Sequence, residues 1–399
     1  CLISVNKNTG RGLSPPFSKG VMQMFYKNAR IFCSDFQFRT GAFEVTEEGK
    51  FGAVMPEKVP ADAIDLLGAT VIPGLCDVHN HGNSGEDFSD GNYDGLVKMA
   101  AYLAKEGVTS FAPASMTLPY DVLEKAFATG RKLADTEPDG CARIMGIQME
   151  GPYFSEKKKG AQNGAYLKKP DFEGFKKLYD GCGGLVRIVD VAPELEGAEE
   201  FVAKACSLCT VSIAHTDSDY DHAKAAFDAG ATHLTHLYNG MPGIHHRNPG
   251  VIPAAAENPN VRAEIICDGM HIHPATVRLA FSIFGGERMI LISDALRCCG
   301  MPDGEYELGG QQVFLQGGIA KLADGTIAGS ATNLFECMRR AMAFGIPEED
   351  AVRAASYNPA CSLGVQDQIG SIETGKLADF VICNADYSEK TVYMGGKKI

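Results

Sequence analysis

Between about residues 70 and 292 the chain alternates short apolar, β-branched runs with stretches whose apolar residues recur at helical spacing. The runs at 70–72, 110–112, 143–148, 186–191, 209–214, 231–237, 262–266 and 289–292 predict strands. Helical periodicity lies between them; from Tyr93 to Glu106, for example, Leu96, Met99, Ala100 and Leu103 share one face. The predicted class is therefore α/β. Strand–helix alternation repeated about eight times is the count expected of a (β/α)8, TIM-like barrel. A doubly wound open sheet is the competitor, but no G-x-G-x-x-G follows a strand, which removes support for its nucleotide-binding form.

The two ends follow a different pattern. Alternating segments around Phe36, Phe38, Phe43, Val45 and Phe51, separated by Gly- and Glu-rich turns, predict a β meander, and the segments 370–383 and 391–394 have the same character. We therefore expect a small β-sandwich domain built from 22–72 and 361–399 around a barrel at 73–360. An antiparallel β insertion is expected near 303–327, where Asp324-Gly325 supplies a hairpin turn. Residues 1–21 are rich in Gly, Pro and Ser and lack an apolar signal core, so they are expected as an unstructured leader or tail before a fold that starts at Met22.

Charge and cysteine content narrow the function classes. A net charge of −13 excludes the basic stripe of a nucleic-acid binder. No apolar run reaches the roughly 18 residues that span a bilayer, so no membrane partner is expected. The 13 cysteines are scattered and include the adjacent pair Cys298-Cys299, which suits reduced thiols and a cytoplasmic location. Cys206-x-x-Cys209 lacks a second pair at zinc-finger spacing and reads as a helix-to-strand connection.

The densest chemistry lies at 231–250, ATHLTHLYNGMPGIHHRNPG, where a short strand breaks into turn residues and four histidines fall in twenty positions. If the strands form a barrel, polar residues at their carboxyl ends converge on one face. Those residues are Asp77, His79 and His81, then Glu150, His215, Asp217, His236, Asp268, His271 and Asp294. Glu150, His215 and His236 supply a carboxylate and two imidazoles from three strand ends, a donor set suited to zinc with a position left for water; iron, manganese and cobalt suit it nearly as well. His79-x-His81 puts two imidazoles on one face of an extended segment, as chelators or as supports for the ligands. Asp294 is open to two readings, a proton carrier or a cap for the segment after the last strand.

Eight motifs in order carry a resemblance from about Met24 to Lys397: PGLCDVHNHG at 73–82, MEGPYFSEKKKGAQN at 149–163, AHTDSD at 214–219, THLYNGMPGIHHRNPG at 235–250, DGMHIHP at 268–274, ISDAL at 292–296, GTIAGS at 325–330 and GSIETGKLADFVI at 370–382. With these the chain resembles the amidohydrolase superfamily and, within it, the deacetylases of phosphorylated N-acetyl amino sugars. The resemblance implies metal-dependent hydrolysis of the acetamide of N-acetylglucosamine 6-phosphate, with the galactosamine epimer as the alternative substrate. It implies Glu150, His215 and His236 as ligands of the principal metal and Asp294 as the catalytic acid–base. Substrate contacts are implied at Ala161, Gln162, Asn239, Gly240, Arg247, His271, Ile327, Ala328 and Gly329. It also implies a homodimer in which Arg247 reaches the phosphate across the interface. Some relatives carry His at the position of Gln162, and some one-metal members lack the H-x-H pair, so His79 and His81 leave open a second ion here, and the resemblance implies one or two divalent ions.

Overall fold

Pro73 and Gly74 divide the chain between two kinds of sheet. In the computed structural model, which describes residues 22–399, the strand Thr70–Pro73 pairs with Met24–Phe32 and Phe380–Cys383. The run at 70–72, expected as the first strand of the alternating region, thus belongs to the terminal sheet. The first parallel strand of the middle is Leu75–Asn80. Pro73 has no N–H to continue a ladder, and a Cβ on Gly74 would lie 2.2 Å from the Thr109 hydroxyl, so the chain changes sheet there. Periodicity marks an apolar run as a strand without saying which sheet it joins. The leader expected at 1–21 lies outside the described residues.

From Leu75 onward the fold is mixed α/β. Leu75–Asn80, Val108–Pro113 and Arg143–Ile144 make one parallel sheet. Ile147–Met149, Val186–Val191, Thr210–Ile213, His233–Leu234, Arg262–Ile266 and Met289–Ile292 make a second, each strand paired to its neighbour in sequence. Parallel bridges between Ala114, just past Val108–Pro113, and Gln148, and between Asn80 and Ala295, join the two sheets. Helices alternate with the strands; Tyr93–Lys105, for example, is capped by Asn92 and buries Leu96, Met99, Ala100 and Leu103. The strands are apolar on both faces. Cys76, Val78, Ala112, Ile188, Ile266, Ile290 and Ile292 pack together on one side, while Val108, Val189, Val211 and Leu291 meet the helices on the other. Two expected strands are shorter than the apolar run suggested: 143–148 is interrupted before Ile147, and 231–237 pairs only at His233–Leu234.

The terminal segments form one continuous eight-stranded sheet rather than the two facing sheets of a sandwich. It curls on itself: Phe51 and Phe380, on strands four places apart in the order, bring their ring centroids to 6.0 Å. Phe380 stands at the middle of this core, against Tyr26, Phe43 and Tyr393 as well. Phe380→Ala should cost about 3–5 kcal/mol through lost burial and an unfilled cavity. The check is the urea unfolding midpoint of the variant; an unchanged midpoint would mean this cluster does not hold the sheet closed.

The insertion is a four-stranded antiparallel sheet, Gly304–Leu308, Gln311–Gln316, Ile319–Leu322 and Ile327–Ser330. Its last strand grips the end of Met289–Ile292: Ser330 N donates to Asp294 O at 2.8 Å and Leu296 N to Ser330 O at 2.9 Å. Among the described residues, no helix is long and apolar enough to cross a membrane, and the twelve described cysteines are all free.

Candidate metal centre and active site

The carboxyl ends of the parallel strands bring Glu150, His215 and His236 together. Glu150 Oε1 lies 3.1 Å from His215 Nε2 and 3.2 Å from His236 Nε2, and the two ring nitrogens are 3.1 Å apart. A tetrahedral ion about 2.1 Å from each donor would space them about 3.4 Å apart, so the three atoms stand as ligands around a cation do. The tautomers agree. His215 Nδ1 is 2.8 Å from the carbonyl of Lys158, which accepts the Nδ1–H in the tautomer whose Nε2 lone pair faces the other two donors. A second triangle adjoins the first: His79 Nε2 is 3.3 Å from His81 Nε2, and Asp294 Oδ1 is 3.6 and 3.4 Å from them. His81 Nδ1 faces the carbonyl of Ala114 at 3.2 Å, so its Nε2 also points inward as a free donor. Glu150 links the triangles, with Oε1 3.6 Å from His79 Nε2 and Oε2 3.3 Å from His81 Nε2. All six side chains are buried.

The electrostatics of these groups favour a cation. Burial pushes the Glu150 carboxyl upward, but the hydrogen bonds with His215 and His236 and the charges of His79 and His81 hold it well below the usual carboxylate range. Asp294 is likewise held below its ordinary value against burial, chiefly by His79 and His81. Burial would depress His79, yet Glu264 and Asp294 raise it well above an ordinary imidazole, and Asp294 and Glu150 raise His81. Clustered carboxylates thus demand positive charge at the Nε2 atoms, and a divalent cation satisfies the same demand with those lone pairs as ligands.

Three of these residues hold unusual backbone. His215, His236 and Asp294 have φ of 43°, 32° and 47°, in the left-handed region that non-glycine residues rarely enter, each just past the end of its strand. Such conformations cost about 1–3 kcal/mol each and cluster at functional sites, because the bend turns a side chain into the mouth of the sheet. Gly240 makes room for one of them: with φ +60, a Cβ there would meet His215 Nδ1 at 2.9 Å.

The remaining expected contacts are spread more widely. His271 is partly buried near Asp294; its Nδ1 is 2.7 Å from Asp268 Oδ2, and although burial depresses it, Asp268 holds the imidazole above its ordinary pKa. Asn239 donates to the carbonyls of His236 and Leu237. Gln162 faces Glu150: its Nε2 donates to Glu150 Oε2 at 2.5 Å while its Oε1 accepts from Thr117 N at 2.8 Å. Ala161 is held through its carbonyl by the amide of Gln311 from the insertion. Ala328 and Gly329 are buried, and Ile327 is exposed at the start of its strand. Arg247 is not brought to the two triangles; it lies exposed on the loop after Pro242, its guanidinium 2.8 Å from the His246 ring.

Two buried carboxylates beneath the centre, Glu264 and Asp190, escaped the sequence reading, and a third, Asp268, was read there only as one of the polar strand-end residues. Glu264 joins His79 to His233, Asp190 accepts from Gln148 and Thr235, and Asp268 orients His271. Glu264 and Asp190 sit as single acids within the apolar strands Arg262–Ile266 and Val186–Val191, which was the available signal.

Comparison with known proteins identifies the family. An N-acetylglucosamine-6-phosphate deacetylase of Vibrio furnissii is 39% identical over 341 residues, 85% of either chain. An N-acetylgalactosamine-6-phosphate deacetylase of Escherichia coli O157:H7 is 33% identical, covering 88% of this chain and 92% of its own. A solved structure of a point mutant of N-acetyl-D-glucosamine-6-phosphate deacetylase from Mycobacterium smegmatis, in complex with N-acetyl-D-glucosamine-6-phosphate, matches with a TM-score of 0.88 at 32% identity, covering 94% of this chain and 99% of that one. The amidohydrolase family model matches residues 70–399. The chain belongs to the amidohydrolase family.

Proposed function

We propose that this protein is a metal-dependent hydrolase that removes the acetyl group of N-acetylglucosamine 6-phosphate, releasing acetate and glucosamine 6-phosphate. The observation that carries the proposal is the convergence of Glu150, His215 and His236 within 3.1–3.2 Å of one another, beside a buried Asp294. The Vibrio furnissii and Mycobacterium smegmatis relatives, matched over most of both chains, are named for that substrate. A barrel of eight strands is supported by the two parallel bridges that link the first sheet to the first and last strands of the second, with a small domain of 22–72 and 361–399 beside the catalytic part at 73–360.

Glu150, His215 and His236 would hold the principal ion, zinc by preference, and His79, His81 and Asp294 a second. When bound, such an ion lowers the pKa of water from about 15.7 towards about 7 and polarises the acyl oxygen. Asp294 takes the proton of the attacking water at a carboxylate oxygen and returns it to the C2 amine as the C–N bond breaks. A free amine anion is too poor a leaving group to depart without that proton. His271, fixed by Asp268, donates a hydrogen bond towards the acyl oxygen or a sugar hydroxyl. Gln162 holds Glu150, and Asn239, Gly240 and 327–329 shape the sugar site. Arg247, exposed on its loop, suits a phosphate presented by the partner subunit of a homodimer. The free cysteines support a reducing, cytoplasmic setting.

The Escherichia coli relative favours one second reading, the galactosamine epimer as substrate. Acetate release from the two 6-phosphates at matched concentrations separates the readings. We expect kcat/KM to favour the gluco epimer by at least about 10-fold, a difference of about 1.4 kcal/mol. Preference for the galacto epimer would reassign the sugar, and no turnover of either would remove the phosphosugar assignment.

A further inference from the structure

Glu264 lies at 0% exposure in the strand Arg262–Ile266 and is engaged on both oxygens. Oε2 is 3.0 Å from His79 Nδ1 and accepts from the backbone N–H of His236 at 3.2 Å, while Oε1 is 2.9 Å from His233 Nε2. One carboxylate thus touches a ring of the second triangle, the backbone of a residue of the first, and His233, which stands in neither. Oε2 is already the acceptor of the His236 N–H, so it meets His79 Nδ1 as an acceptor too, and that bond puts the ring proton on Nδ1. The lone pair is then left on Nε2, the atom that faces His81, Glu150 and Asp294.

We propose that Glu264 is a positioning residue that loads the second cation: it fixes His79 in its ligating tautomer and orientation, and His233 holds the other oxygen so that the carboxylate cannot turn away. The proposal rests on the two-ion centre proposed above. It distinguishes Glu264 from a general packing residue, because its ring contact is to His79 alone among the four histidines of the two triangles. His215 is fixed instead by the Lys158 carbonyl and His81 by the Ala114 carbonyl. Removing the carboxylate therefore removes a ring contact at the second position only, while at the first it removes the bond from the His236 backbone N–H.

The test is metal stoichiometry and affinity, by equilibrium dialysis of the full chain against zinc alone, for wild type, Glu264→Gln, His233→Gln and His233→Leu. Glu264→Gln keeps the shape but can present an N–H to His79, which would move the ring proton to Nε2 and block ligation. We expect two ions on wild type and one on Glu264→Gln, with the weaker site loosened about 10–100-fold, the usual effect of losing a partner behind a ligand. His233→Gln retains an N–H donor near the position of Nε2 and should keep both ions. His233→Leu loses the donor and should loosen the second ion alone, which tests the proposal even if Glu264→Gln does not fold. Two ions of undiminished affinity on either Glu264→Gln or His233→Leu would overturn the role of Glu264 while leaving the two-ion centre intact. A single ion on wild type would overturn the two-ion centre and the proposal with it.

Discussion

Asp294→Asn is expected to lower kcat by about 10²–10⁴-fold, the range carried by a positioned acid–base group, with at least one ion per chain retained. The substitution preserves volume and removes the ability to carry a proton between water and the departing amine. Asp294 is suited to the role because its surroundings keep it ionised despite burial: the two histidines of the H-x-H pair pull it below its ordinary value. Its main chain is also fixed, by Ser330 N on its carbonyl and by its own N–H donated to His79 O at 2.9 Å, so asparagine should occupy the same place. Single-turnover acetate release, read beside metal content, checks this. Wild-type turnover in the variant would remove Asp294 from the proton path, while loss of both ions would show that it acts through the metals.

The residue types of this centre were legible because they interrupt apolar runs where those runs end. Glu150, His215, His236 and Asp294 each follow a strand and precede turn chemistry. What the sequence could not display is how they are aimed. The left-handed backbone of His215, His236 and Asp294 follows from tertiary packing, and histidine and aspartate in a strand pattern predict an extended conformation. Glu264 and Asp190 were hidden for a related reason. A lone acid in a run such as RAEII reads as a solvent-facing position, and only the assembled sheets reveal that this side of the strand faces His79 and His233.

The two sheets show the same division between type and placement. The run at 70–72 announces a strand, yet its partners, Met24–Phe32 and Phe380–Cys383, lie far away in the chain, and pairing is a long-range property. Gln162 is another case. Its place in the motif at 149–163 made it a candidate for substrate, whereas its geometry commits both ends of the amide, one to Glu150 and one to the backbone of Thr117. An amide that bridges a ligand and a main-chain N–H holds that ligand's orientation, which an alphabet of side chains does not encode.

Removal of the metal should abolish turnover and destabilise the fold together. Chelation of wild type is expected to bring acetate release to background, with recovery on adding back zinc, manganese or cobalt. His236→Ala is expected to stay inactive at the same metal concentrations, because it deletes one of three donors spaced 3.1–3.2 Å apart. The stability effect follows from linkage: an ion present at about 1,000 times its dissociation constant adds about 4 kcal/mol to the folded state, so the chelated protein should melt several degrees lower. The cause lies in the donors themselves. His215 and His236 turn ring nitrogens toward each other at 3.1 Å, and left-handed backbone at both positions is maintained to keep them there. A cation between those atoms relieves the opposition of their lone pairs and compensates the strain. Activity that survives exhaustive chelation, in protein shown by elemental analysis to hold less than about 0.05 ion per chain, would leave that geometry without a purpose and rule out metal-dependent hydrolysis.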